Sequence, residues 1–178
     1  MKRLLVPTLL LACAAPIVQA GEPDTASAQR IHVDLTAIVE SGAVAPVKGV
    51  TSAGQPNAQA LQVFADSGYV AVIDLRGPQE DRGYDEAAVV QDLGLEYVPL
   101  PIVGGDAVSY ENAGKLDAIL KQYDGPVLLH CGSGNRVGAL LALRESLAGS
   151  DDETALEVGR SAGLTRLDSV VKQRLDER

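Results

Sequence analysis

The residues best equipped for chemistry stand together in the run Pro126 to Gly138, PVLLHCGSGNRVG. Apolar residues lead into His130 and Cys131; Gly132, Ser133, Gly134 and Asn135 follow; then come Arg136 and a helix-forming stretch from Val137. That order reads as buried strand, tight loop, helix. Loop N–H groups turned inward at the start of a helix make a nest for an oxyanion, because the helix adds partial positive charge there. A cysteine on the rim of such a nest has its thiolate stabilised by the same field. Arg136 would add a planar, two-pronged donor for phosphate or sulfate. The reading is a nucleophilic Cys131 beside an anion site made of the loop and Arg136. A buried, inert cysteine is the plain alternative, since a free thiol packs like a small hydrophobe.

Positioning such a loop requires a strand that ends at Cys131 and neighbours that end at the same edge. Strands are expected at Val47 to Ala53, Tyr69 to Leu75, Leu95 to Ile102 and Val127 to His130. Between them lie helical patterns at Asn57 to Ser67, Asp85 to Leu93 and Tyr110 to Tyr123, the last capped by Ser109. Three more helices follow the loop: Val137 to Ala148, Asp151 to Ala162 and Arg166 to Leu175. A weaker pattern suggests a short helix at Asp34 to Glu40. Strands alternating with helices imply an α/β fold: a single domain with a mostly parallel sheet of about four strands and helices on both faces. In such sheets ligands bind beyond the carboxyl ends of the strands. That edge collects Ser52 to Gln55, Asp74 to Arg76, Ile102 to Asp106 and Cys131.

Composition narrows the field. The 178 residues are 46% hydrophobic and 22% charged, which suits one folded domain. A formal net charge of −9 and only 3% aromatic residues argue against nucleic acid as a partner. Lys2 and Arg3 precede the apolar run LLVPTLLLACAAPIV, and Val18-Gln19-Ala20 supply small residues for cleavage. Residues 1–20 therefore read as a secretory signal and 21–44 as a leader, with the domain at 45–178. The run is too short and Pro-interrupted for a membrane span. A rival reading makes Cys13 a lipid-attachment site. Either way the expected location is periplasmic or secreted, and Cys131 is the one thiol left in the mature domain. His32, His130 and Cys131 have no zinc-site spacing, so neither a metal nor another cofactor is expected.

HCGSGNR resembles the signature loop of cysteine-dependent phosphatases of the dual-specificity type. The earlier pieces, TSAGQP and then VIDLR with Glu80, are similar to a small bacterial branch of that superfamily, related to the phosphatase-like domain of beta-lactamase-hydrolase-like proteins. The resemblance covers roughly residues 45–165. It implies a phosphatase-like three-layer sandwich acting on a small anionic or phosphorylated substrate. By it, Cys131 is the nucleophile, and Arg136 with the amides of Gly132, Ser133, Gly134 and Asn135 holds the phosphoryl oxygens. His130 would orient the loop and help bind substrate. Asp106 would be a general acid on a mobile loop hinged at Gly104-Gly105. Arg76 would extend the anion site or, as the plainer role, pair with Glu80.

Three features depart from that pattern. Four residues separate Cys131 from Arg136, where the phosphatase signature has five; Val137 stands where Ser or Thr is usual; and the acid lacks a standard motif. A rhodanese-type sulfurtransferase uses a loop of the shorter length around a persulfide. Sulfur transfer through Cys131 is thus the second expectation, and a non-catalytic anion-binding module the third.

Overall fold

The computed structural model describes residues 31–178. The expected export signal at 1–20, Cys13, and the leader as far as Arg30 lie outside the described residues. The elements in chain order are α1 (Leu35–Ser41), β1 (Val50–Ala53), α2 (Ala58–Asp66), β2 (Ala71–Asp74), α3 (Glu86–Asp92), β3 (Glu96–Pro99), α4 (Tyr110–Leu120), β4 (Val127–His130), α5 (Asn135–Leu147), α6 (Asp152–Ser161) and α7 (Asp168–Asp176). Helix starts follow their caps: Asp34, Asn57, Asp85, Ser109 and Asp151 each accept a first-turn N–H on the side chain. None of the described helices is long and apolar enough to cross a membrane.

The four strands form one all-parallel sheet in the order β1-β4-β2-β3. β4, which carries the loop, is central and buried along its whole length, as its unbroken apolar run requires. Alternate residues feed opposite faces. Val72 and Leu128 pack with Leu61, Phe64 and Val90 of the α1–α3 side. Ala71, Ile73, Val127 and Leu129 pack with Leu116, Leu140, Leu143 and Val171 of the α4–α7 side. The domain is thus helices, sheet, helices, as read from the alternation of elements.

Two local differences bear on the site. The first strand starts at Val50 rather than Val47, because Val47 and Val50 bridge each other across a tight turn that puts Lys48 at φ 50°. Residues 31–44, placed ahead of the domain on sequence grounds, pack onto it. His32 N–H donates to Ser161 O (2.8 Å), Val33 N–H donates to Ser52 O (2.9 Å), and Ile38 is buried.

Candidate active site

All four strands end at one edge, and the loop Cys131–Asn135 crosses it. Cys131 follows directly on β4 and is 1% exposed, packed into the α4–α7 core. Gly132 and Ser133 are exposed at the surface. The chain then turns at Gly134, which has φ 80° and starts α5 with no side-chain cap. That helix end therefore keeps its dipole and first-turn N–H groups directed at the loop. Gly134 is required twice over: its φ lies in the left-handed region, and a Cβ there would sit 2.3 Å from Cε1 of His32. The imidazole of His32 fills the space beneath the loop, its Nδ1 3.3 Å from Ser52 Oγ. His32 thus supports a loop about 100 residues further on, a role that leaves no signal in the sequence. On the β1 side, Gly54 bridges to Ser133.

Arg136 falls in the first turn of α5, and its guanidinium reaches across to Glu80. Nη1 donates to Glu80 Oε1 (2.6 Å) and Nη2 to Oε2 (2.8 Å), a bidentate fork; Nη1 also donates to Leu75 O (3.3 Å) and Ile102 O (3.1 Å). These contacts tie the ends of β2 and the β3–α4 connection to the loop. The Arg136 hydrogen bonds pull the Glu80 carboxyl down to about 2. In return Glu80 first, and the nearby Cys131 sulfur with it, hold Arg136 above its ordinary value. Arg76 pairs with the same carboxylate: its Nε lies 3.3 Å from Glu80 Oε2, while Nη1 donates to Gln55 Oε1 and Nη2 to Asp81 O (2.7 Å). Arg76 takes the bracing role.

Two residues expected at the site, His130 and Asp106, do not have their side chains at the cradle. His130 is fully buried and lies on the opposite face of the sheet from Cys131, because neighbours in a strand point opposite ways. Its Nε2 sits 3.1 Å from Glu86 Oε1 and 3.6 Å from Asp74 Oδ1, so it does not bind substrate directly. Asn135 keeps its backbone in the loop, as the first residue of α5, while its side chain turns into the C-terminal helices, where Oδ1 accepts from Thr165 N–H (2.8 Å) and Leu167 N–H (3.3 Å). Asp106 is fully exposed, its Oδ1 3.7 Å from Arg174 Nη2.

Beneath the edge, His130 belongs to a buried polar group with Asp74 and Glu86 whose ligand-type atoms all lie within 4.8 Å. Arg82 donates to Asp74 Oδ2 through Nε (2.8 Å) and Nη2 (2.5 Å) and comes within 3.5 Å of Glu86 Oε2. Tyr97 Oη donates to the same Asp74 oxygen (2.6 Å); burial, then Asp74 as acceptor, push that phenol well above its usual range. Among the described residues these three side chains have a metal-site composition, but Arg82 already supplies positive charge to both carboxylates. Gln55, from the GQP turn, donates from Nε2 to Glu86 Oε2 (3.1 Å) and so joins this group to the braces above it.

A fold of this kind, with its loop on the central strand, is also found by comparison with known proteins. The family model described as DSP-PTPase phosphatase fused to NAD+ kinase matches residues 36–170. The chain belongs to that family. It is 34% identical over 100 residues to beta-lactamase hydrolase-like proteins from two strains of Xylella fastidiosa. That alignment covers 54% of this chain but 23% of those proteins, so the chain spans about a quarter of the relatives it matches. Among solved structures it is similar in fold to a candidate phosphatase from Neisseria meningitidis (TM-score 0.63, 17% identity, 73% of this chain and 94% of that one). It is also similar to P. aeruginosa TpbA, solved as a cysteine-to-serine variant in complex with phosphotyrosine (TM-score 0.51, 23% identity, 73% and 86% covered).

Proposed function

We propose that this chain is an exported, cysteine-dependent phosphomonoesterase. The observation that supports it most is the short path from Cys131, at the end of the central strand, to Arg136, in the first turn of α5, around a glycine-bearing loop. Such a loop offers amides, a helix dipole and a guanidinium to the equatorial oxygens of a phosphoryl group. The Cys131 thiolate attacks phosphorus; an S–P bond forms as the bond to the leaving oxygen breaks. Asp106 gives that oxygen its proton, so an alcohol departs. Water then attacks phosphorus and passes a proton to the Asp106 carboxylate; the S–P bond breaks, and inorganic phosphate and the thiolate are restored. Asp106 has to leave Arg174 to do this, and Gly104, at φ 77°, and Gly105 provide the hinge. Glu80 is a positioning residue: it fixes the plane of the Arg136 fork. The charged start and apolar run of residues 1–20 support an export signal, and with it a reaction in the periplasm or outside the cell.

The test is a pair of assays, para-nitrophenyl phosphate hydrolysis and thiosulfate-dependent sulfur transfer to cyanide, each on wild type and Cys131→Ser. Phosphate release that falls at least about a thousandfold in Cys131→Ser is expected. Sulfur transfer without phosphate release would replace this reading by the one that the four-residue loop suggests. Asp106→Asn should cost about a hundredfold on alkyl phosphates and much less on para-nitrophenyl phosphate, whose leaving group needs no proton.

A further inference from the structure

Next to the loop lies a groove that the reaction chemistry leaves unused. It is a cavity of about 490 Å³ between α1 and the β1–α2 turn. Leu35, Thr36, Val39 and Glu40 line it from α1, Gln55 and Asn57 from the turn, and Gln59 from the first turn of α2. Its inner end abuts the candidate site. Gln55 is hydrogen bonded to Arg76 and Glu86, and Gly54, one residue before it, bridges to Ser133 of the loop.

The lining is selective in what it offers. Gln55 is held by Pro56, Glu86 and Arg76, so two amides, Asn57 and Gln59, with one hydroxyl and one carboxylate provide donors and acceptors, and Leu35 and Val39 provide an aliphatic surface. Asn57 spends its Oδ1 on the cap of α2, accepting from Ala60 N–H (2.8 Å), which leaves its amide nitrogen as the donor. Among the described residues no lysine or arginine lines the groove, so a second phosphate would meet only Glu40 there. No aromatic ring among the described residues lines it, so neither a nucleobase nor a phenol ring finds a stacking partner in them. Uncharged amides with one carboxylate and an aliphatic patch match a molecule that alternates O–H edges with C–H faces. We propose that the groove binds the leaving group of the substrate, and that the substrate is the single phosphate ester of a sugar or another polyol. The proposal rests on the phosphomonoesterase reading for its reaction, but the groove itself can be tested without turnover.

Wild type is titrated with glucose 1-phosphate and, separately, with O-phosphotyrosine, following backbone amide shifts by NMR. Glucose 1-phosphate is expected to move amides at 36–40 and 55–59 together with the loop; phosphotyrosine is expected to move the loop alone. In parallel, kcat/KM for glucose 1-phosphate relative to para-nitrophenyl phosphate is expected to fall about tenfold in Thr36→Val/Gln59→Leu, the size of one or two lost hydrogen bonds. Groove amides unmoved by the sugar phosphate, or moved equally by phosphotyrosine, would overturn the proposal. If no ester is hydrolysed, the phosphatase reading fails, and the amide shifts alone still decide the groove.

Discussion

Glu80 shows how much one carboxylate can organise. It accepts from both terminal nitrogens of Arg136, from Arg76 and from the Gly77 N–H (2.8 Å). Its carboxyl titrates near 2 in the fold, against an ordinary 4.5, with the Arg136 hydrogen bonds as the main cause. A depressed folded value means that the stabilisation is fully present above 4.5 and is lost as pH falls toward 2. Thermal midpoints measured from pH 5 to 2 should therefore fall more steeply for wild type than for Glu80→Gln. Parallel curves would mean that the fork contributes nothing to stability. The side chain is a third exposed, so the difference should be small and shrink with salt.

At the scale of elements, α5 decides the geometry. Val137, Gly138, Ala139, Leu140, Leu141, Ala142 and Leu143 are all buried, because the sheet, α4, α6 and α7 surround the helix. Its crossing with α6 is close: a Cβ on Gly138 would lie 2.3 Å from Leu164 N and 2.6 Å from Gly159 O. Both are backbone atoms, so neither can swing aside. Gly138→Ala should destabilise by about 1–3 kcal/mol, read as a lower midpoint in urea with an unchanged slope. It should also move Arg136, two residues earlier, and so lower oxyanion affinity. A variant as stable as wild type would show that α5 and α6 have room to separate. The sequence pattern starts this helix at Val137, after Arg136; in the fold it begins at Asn135, which puts Arg136 inside the first turn. No residue at the helix start carries a capping side chain to mark the boundary in sequence.

Across the whole molecule, an acidic chain with net charge −9 concentrates arginines at one edge of its sheet, where Arg76 and Arg136 meet. A tetrahedral oxyanion should bind there and stabilise the fold by mass action. Tungstate at a hundred times its dissociation constant should add about 2.7 kcal/mol, a rise in Tm of roughly 5–10 °C for a chain of this size. The rise should vanish in Arg136→Ala. An unchanged Tm in wild type would remove the anion site.

The residues 126–138 by themselves determined a strand, a turn and a helix with a cysteine and an arginine at the joints, because apolar runs, glycines and periodicity act locally. The alternation of such segments likewise determined a parallel sheet with helices on both sides. Tertiary structure decided the partners. Strand parity could have warned that His130 and Cys131 face opposite sides, but only packing puts Glu86 against His130. Nothing near Arg136 in sequence points to Glu80, 56 residues away, as the holder of its fork. His32 beneath Gly134 joins positions still farther apart. Local pattern sets backbone conformation, whereas a buried charge takes its partner from whatever element the fold brings across the edge, and that contact leaves no periodic trace in the chain.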